Sequence, residues 1–205
     1  TSKPLDLEWK LKAIRNEKGI DYENRYTEIY FEYEDKKIDY VGQGENKEEN
    51  GNKVSYVAFK QHFFSTILLT KTPFENARLQ SNNLVVDTEK DTLFTKQFKA
   101  NMPLAFTNGE VDYKMNWYIG PTDYETLKSY DRDIHKIISL GWGIFGWINM
   151  FIFIPLFGFL SSYIAYGIAI IVFTIIIKIA MSPITYKSFL SQAKMKVLRP
   201  EITEL

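Results

Sequence analysis

The chain of 205 residues carries 25 Lys+Arg against 25 Asp+Glu, and this balance hides a strong segregation. Residues 1–136 hold 20 basic and 23 acidic side chains, 137–177 hold none, and the remainder sets five cations against Glu201 and Glu204. No basic block offers a nucleic-acid surface, and the lack of cysteine excludes disulfides and thiolate metal sites.

The N-terminal part reads as β structure. The chain opens at Thr1 without an initiator Met, a basic n-region or an apolar h-region, and reads as a piece of a longer polypeptide. Thr27, Ile29, Phe31 and Tyr33 alternate with Glu28 and Glu32, the period of a half-buried strand. The polar, glycine-punctuated run 42–52 predicts a loop. Val54 to Leu69 is rich in aromatic and β-branched residues and fits a helix or a strand, with Tyr56, Phe59, Phe63 and Phe64 as a core stripe. Asn108-Gly109 suits a tight hairpin, so 103–106 should pair with the alternating strand Val111 to Ile119. Gly120-Pro121 ends that strand, and Thr122 to Glu125 forms a capping box for a short helix ending near Tyr130. Several short strands with turns between them predict a sandwich.

After Lys136 the composition changes. The apolar run Ile137 to Ile184 is about twice the ~20 residues one span requires, so it holds two elements, with Pro155, Gly158 and Ser161-Ser162 marking the break. Ala165 to Thr185 reads as a transmembrane helix. Trp142 to Leu160 either spans or lies along the surface, since Trp142, Trp147 and Tyr163 favour the interface. Lys178 is the one charge in this run, and a lone ammonium in hydrocarbon costs at least ~2.5–3.5 kcal/mol. It therefore marks either a wet functional surface or a side chain snorkelling to the inner interface. Thr174 sits one turn earlier on the same face. Lys187, Lys194, Lys196 and Arg199 follow, a cluster expected on the cytoplasmic side.

The segment Phe173 to Ser188, with Lys178 five residues before Pro183, followed by Ala193-Lys-Met and Pro200-Glu-Ile, resembles the first core span and following cytoplasmic helix of YidC-type membrane protein insertases. Tyr56 to Phe64, Trp117 to Pro121, Trp9 and Arg15 to Lys18 are similar to the periplasmic domain of that family. The resemblance covers nearly the whole chain. It implies a β-rich periplasmic sandwich, a β supersandwich akin to galactose mutarotase and incomplete here, followed by α-helical membrane segments. The implied organisation is a sandwich over 1–130, a linker and membrane-surface helix over 131–163, a span over 164–185 and the start of a cytoplasmic helical hairpin over 186–205. It implies a multi-pass protein of the bacterial inner membrane with its large domain in the periplasm. The implied function is insertion and folding of inner-membrane proteins, alone or with the Sec translocon, through a positively charged hydrophilic groove.

In that reading Lys178 and Thr174 line the substrate groove, and Lys187, Lys194, Lys196 and Arg199 are candidate contacts to ribosome or substrate, weighed against simple positive-inside anchoring. Partners are nascent membrane proteins, the Sec translocon, the ribosome as a candidate, the lipid bilayer and the remaining part of the same polypeptide. The family usually carries Arg where this chain has Lys178, which keeps the charge and loses the guanidinium fork. No catalytic residue, metal or cofactor is expected, because His62 and His135 join no carboxylates at triad or metal-ligand spacing. The alternatives are a membrane-anchored extracytoplasmic carbohydrate-binding domain, which would need a cleft with paired carboxylates, and a scaffold domain, for which Lys178 would be dispensable.

Overall fold

A computed structural model describes residues 5–203 except Asp35, 43–45, Thr92, 107–109 and Asp131, and the side chains of 196–203 are not described. The chain divides into two compact units, 1–138 and 139–205.

The first unit is one antiparallel sheet built from β1 (Leu5–Ile14), β2 (Glu28–Tyr33), β3 (Lys37–Val41), β4 (Lys47–Lys60), β5 (Phe64–Asn83), β6 (Phe94–Leu104) and β7 (Met115–Pro121). Its order is β1-β6-β5-β4-β2-β3, with β7 paired to β5 beside this path. The 20-residue β5 makes this possible, because Phe64–Thr70 pairs with β7 and Arg78–Asn83 pairs with β6 along the same edge. In a flat sheet β1 would lie about 14 Å from β4, three strand spacings away. Instead Trp9 of β1 stacks on Phe59 of β4 with ring centroids 3.6 Å apart. The sheet therefore folds over on itself, helped by a register shift between Val54 and Tyr56 that bends the β4–β5 ribbon.

Period-2 alternation gives this sheet two buried faces. Ile29, Phe31, Val57, Phe59, Leu68, Phe98 and Met102 fill the inside of the fold. Tyr30, Tyr56, Ala58, Ile67 and Leu69 point the other way, against Leu127 of α2 (Tyr124–Lys128) and Ile134 and Ile137 of a 3-10 turn, Asp133–Ile137. Those last contacts carry the compact unit past residue 130. A short helix α1 (Ile20–Arg25) closes the β1–β2 connection.

Four local expectations change. β4 begins at Lys47, inside the expected loop, because Lys47–Asn52 extends the hairpin with β5 and Glu48 pairs with Arg78 across it. Only Tyr56 and Phe59 of the aromatic stripe are buried; Phe63 falls in the β4–β5 turn and Phe64 starts β5, exposed by 58% and 60%. Residues 103–104 pair with β1, while β7 pairs with β5, so the 103–106 hairpin does not form; its Asn108-Gly109 turn lies outside the described residues. The cap of α2 is Asp123, whose carboxylate accepts from the Thr126 N–H at 2.8 Å, and the helix ends at Lys128.

The second unit runs through α3 (Gly143–Ile148), a π-helical turn (Asn149–Phe153), α4 (Ile154–Tyr163) and α5 (Tyr166–Thr203). Asn149 donates to the Leu140 carbonyl at 2.6 Å, and a Cβ at Gly146 would meet the Gly141 carbonyl oxygen at 2.5 Å, so the entry turn lies tightly on α3. The break between the apolar elements falls at Ile164–Ala165. Pro155, expected to mark it, lies inside the continuous helix Gly143–Tyr163, directly after the π-helical turn, and the helix runs on through it. Ser161 and Ser162 donate back to the Gly158 and Phe159 carbonyls and stay helical. Both Gly143–Tyr163 and Tyr166–Met195 are long and apolar enough to cross a membrane, and almost none of either is buried within the protein. An apolar helix exposed all round has no water-stable solution, so its natural solvent is lipid.

Candidate functional site

The helix α5 owes its length to Ile, Ala and Leu with few breakers, and Pro183 does not end it. Proline deprives the Ile179 carbonyl of its helical donor at that point. Two residues later Thr185 supplies extra local bonding by donating to the Met181 carbonyl at 3.0 Å. One side of α5 packs on α4: Phe173 meets Phe153 and Phe157 edge-on at 5.6 and 5.9 Å, and Ala169 is fully buried. At about 100° per residue, Thr174 and Lys178 stand roughly 100° and 140° around the helix from Phe173, on the side turned from α4. Lys178 is exposed and makes no hydrogen bond or ion pair among the described residues.

Thr174 is satisfied within its own helix, its hydroxyl donating to the Ile170 carbonyl at 2.7 Å. That leaves its oxygen lone pairs free to accept. Ser182 and Thr185 continue the same side, so a thin polar line with one cation runs along an otherwise apolar helix. Lys187 and Lys194 are exposed further along α5. Lys196 and Arg199 belong to the stretch of α5 whose side chains lie outside the described residues.

In the sandwich unit, residues far apart in sequence meet. Trp9 stands edge-on to Trp117 at 4.8 Å as well as stacking on Phe59. Arg15 bonds the carbonyls of Glu17 and Lys18, and the buried Glu23 carboxylate accepts from the Asn16 and Glu17 amides at 2.7 and 3.0 Å, which fixes the 15–18 turn. That turn brings Glu17 to His62, Oε1 to Nδ1 at 2.6 Å, with Tyr26 stacked on the imidazole. His135 packs edge-on to Tyr124, and its Nδ1 is buried without a partner. No group of three or more His, Asp or Glu capable of holding a metal occurs among the described residues.

Sequence reasoning missed the buried charges, of which three stand out. Lys60 and Glu28 form an ion pair at 3.0 Å with each side chain 5% exposed. Lys96, wholly buried, donates to the carbonyls of Thr27 (2.7 Å) and Gly42, and desolvation pulls its pKa down to about 8. Burial, then the neighbouring Glu28 carboxylate, raises the Tyr30 phenol well above its ordinary range. The alternation at 28–33 marks Glu28 as outward-facing, and only its place directly opposite Lys60 could have hinted otherwise.

A folded-over antiparallel sandwich, followed in one chain by lipid-suited helices of which one bears a solitary cation within its apolar stretch, defines a membrane protein with a β head domain. The chain belongs to the YidC family. The family model described as the YidC periplasmic domain matches residues 5–155, and that described as 60Kd inner membrane protein matches 156–205. Proteins named membrane protein insertase YidC are similar along 98% of the chain: 36% identical in Parabacteroides distasonis, 32% in Azobacteroides pseudotrichonymphae and 33% in Porphyromonas gingivalis. The chain spans about a third of the length of these relatives, 33%, 34% and 33%. Of the residues that carried the resemblance at the sequence level, Trp9 packs on Phe59 and Trp117, and Glu17 pairs with His62.

Proposed function

We propose that this chain is part of an insertase that helps inner-membrane proteins enter and fold in the bilayer, with Lys178 as the charged element of its substrate path. The observation that carries the reading is the placement of Lys178, exposed and unpaired on the side of α5 that α4 leaves open. A fixed positive charge in a wet, low-dielectric surface attracts an acidic segment more strongly than the same charge in bulk water. It also shortens the apolar path that a polar tail must cross. Thr174, with acceptor capacity left after its bond to Ile170, lies beside it to receive donors of a passing chain. The work is transfer between solvents and needs no covalent step, so the protein is not an enzyme.

The sandwich would sit in the periplasm and the end of α5, with Lys187, Lys194, Lys196 and Arg199, in the cytoplasm. Substrates would be nascent membrane proteins, delivered by the ribosome or shared with the Sec translocon. The rest of the polypeptide would complete a multi-pass groove around the open side of α5. The domain limits would follow: sandwich to about 130, surface segment to 163, span to 185, cytoplasmic helix beyond.

The test compares variants at matched levels in cells depleted of their own insertase. Lys178→Arg should retain insertion of single-span substrates with acidic periplasmic tails, and Lys178→Ala should impair it. Replacing the tail acids by lysine should lessen the dependence on Lys178. Equal insertion by the alanine variant and the parent for every tail would remove the charge from the mechanism.

A further inference from the structure

The sandwich unit carries an open cleft of about 500 Å³ between the β2–β3 turn and the segment linking α2 to the 3-10 turn. Its lining carries both signs of charge. Lys36, Lys128 and Arg132 supply cations, Glu32 and Asp133 supply carboxylates, the latter already accepting from Lys136 at 2.7 Å, and the half-exposed ring of Tyr130 joins them. Arg132 is built in: its guanidinium donates to the Ser55 and Thr70 carbonyls at 3.1 and 2.7 Å and has no carboxylate partner among the described residues. Glu32 is also built in, only 7% exposed and accepting from the Ser55 hydroxyl at 2.5 Å. Behind this wall the Tyr56 hydroxyl is buried without a hydrogen-bond partner, and burial followed by the nearby Glu32 and Asp133 raises its pKa.

A simple anion fits the cations poorly here, because it would meet two carboxylates in the same cleft. A ligand with a phosphate and a primary ammonium a few ångströms apart satisfies both signs of charge, the phosphate with charge-assisted donors and the ammonium with carboxylate acceptors. A quaternary ammonium lacks the N–H donors that a buried carboxylate such as Glu32 requires. The source of such a ligand follows from chain connectivity. His135, the last lining residue, precedes Gly143, the first residue of α3, by eight positions. A fully extended chain of that length reaches at most about 28 Å, so the cleft stays within that distance of the apolar segment however the two units are arranged.

We propose that this cleft binds the zwitterionic headgroup of a phosphoethanolamine-type phospholipid, its phosphate against Lys36, Lys128 and Arg132 and its ammonium against Glu32 and Asp133. Such a contact would tie the head domain to the bilayer surface independently of the substrate path on α5.

The test uses the full chain in a nonionic detergent, titrated by calorimetry with short-chain phospholipids carrying ethanolamine, choline or glycerol headgroups, and with inorganic phosphate. Saturable binding of the ethanolamine lipid, roughly tenfold or more tighter than that of the other three, is expected. The exposed double variant Lys36→Gln/Lys128→Gln should weaken it by about tenfold or more with unchanged circular dichroism, and Asp133→Asn should bring ethanolamine and glycerol lipids to within about threefold of each other. Equal or tighter binding of the glycerol lipid or of inorganic phosphate would reduce the cleft to a general anion site and overturn the proposal. Unchanged affinity in the double variant, or no saturable binding of the ethanolamine lipid, would overturn it as well.

Discussion

The ion pair between Lys60 and Glu28 should behave as one energetic unit. The two residues stand directly opposite each other on β4 and β2, and the ammonium lies 3.0 Å from the carboxylate and 5.0 Å from the centre of the Tyr30 ring. Lys60→Met keeps the length of the apolar stem and leaves the buried Glu28 carboxylate without its hydrogen-bonded ammonium, a loss of roughly 3–5 kcal/mol. Against a total domain stability of about 5–15 kcal/mol this is a large fraction. The double variant Glu28→Leu/Lys60→Met removes both charges and their desolvation cost, so it should fall near the parent or exceed it by about 1–4 kcal/mol. The measurement is urea unfolding of the full chain in nonionic detergent, followed by tryptophan fluorescence, since Trp9 and Trp117 report on the same fold. Urea is uncharged and leaves ion pairs unscreened. Two results would refute the reasoning: a Lys60→Met cost below about 1 kcal/mol, or a double variant as unstable as the sum of the singles.

Lys96 gives a pH dependence with a definite sign. Its pKa is about 8 folded against 10.5 for an ordinary lysine, so between those values the unfolded chain binds more protons and stability rises with pH, by a few kcal/mol at most. Lys96→Met should flatten that rise in unfolding curves taken across the window, and an unchanged slope would contradict the assignment. Gly51→Ala should cost about 1–3 kcal/mol because its Cβ would meet Val54 Cγ2 at 2.7 Å and Phe31 Cε2 at 3.0 Å, whereas Gly19→Ala, with Tyr22 Cβ at 3.8 Å, should change little in the same assay. The chain has no cysteine, so Lys194→Cys gives a single reporter. A membrane-impermeant thiol reagent should reach it only from the cytoplasmic side, and labelling from the periplasmic side alone would reverse the proposed topology.

What could be read from the sequence was whatever depends on local period. The alternation of 27–33 gave a strand in the right place, that of 111–119 gave one that begins only at Met115, and the length of the apolar run demanded two helices. Pairing was less legible, because it depends on which edge of β5 is free. A 20-residue strand that serves β6 with one end and β7 with the other leaves no mark on the sequence of β7. The polar stretch 47–52 looked like a loop because both its faces are largely solvated, although the hairpin ladder still holds it extended. Proline was misleading once: Pro155, expected to mark the break, lies inside the continuous helix Gly143–Tyr163, as Pro183 lies inside α5, because a long cooperative helix tolerates one lost donor. Lys178 was legible because a charge in an apolar run is rare on energetic grounds alone. Glu28, Lys60 and Lys96 were not, because a charge in a polar strand looks ordinary until its partner across the sheet is known.

The depth of Lys178 bears on why a lysine can serve there. From Tyr166 to Ile184 the helix rises about 27 Å, close to the ~30 Å of the hydrocarbon layer, and Lys178 lies about 18 Å from the first of these residues and about 9 Å from the last. It sits beyond the midplane toward the basic end of α5, and a stretched lysine stem covers most of the remaining distance to the interface. The energetic cost of keeping the charge is therefore well below that of a mid-bilayer ion, so the position needs only a shallow hydrated surface. If Lys178 lies on a substrate path as proposed, snorkelling and function are the same geometry used in two directions: a stem that reaches outward when alone can turn inward toward an acidic segment. Arginine would bind such a segment with a fork of donors and hold it longer, while lysine offers a point charge and a mobile stem. A substrate that must move on would be served by the weaker, less directional contact, and the proposal then predicts that Lys178→Arg slows release of acidic substrates more than it alters their capture. Crosslinking lifetimes of a stalled acidic-tailed substrate at this position should lengthen in the arginine variant. Unchanged lifetimes would show that charge alone, and not its geometry, governs the contact, and shorter ones would refute the argument.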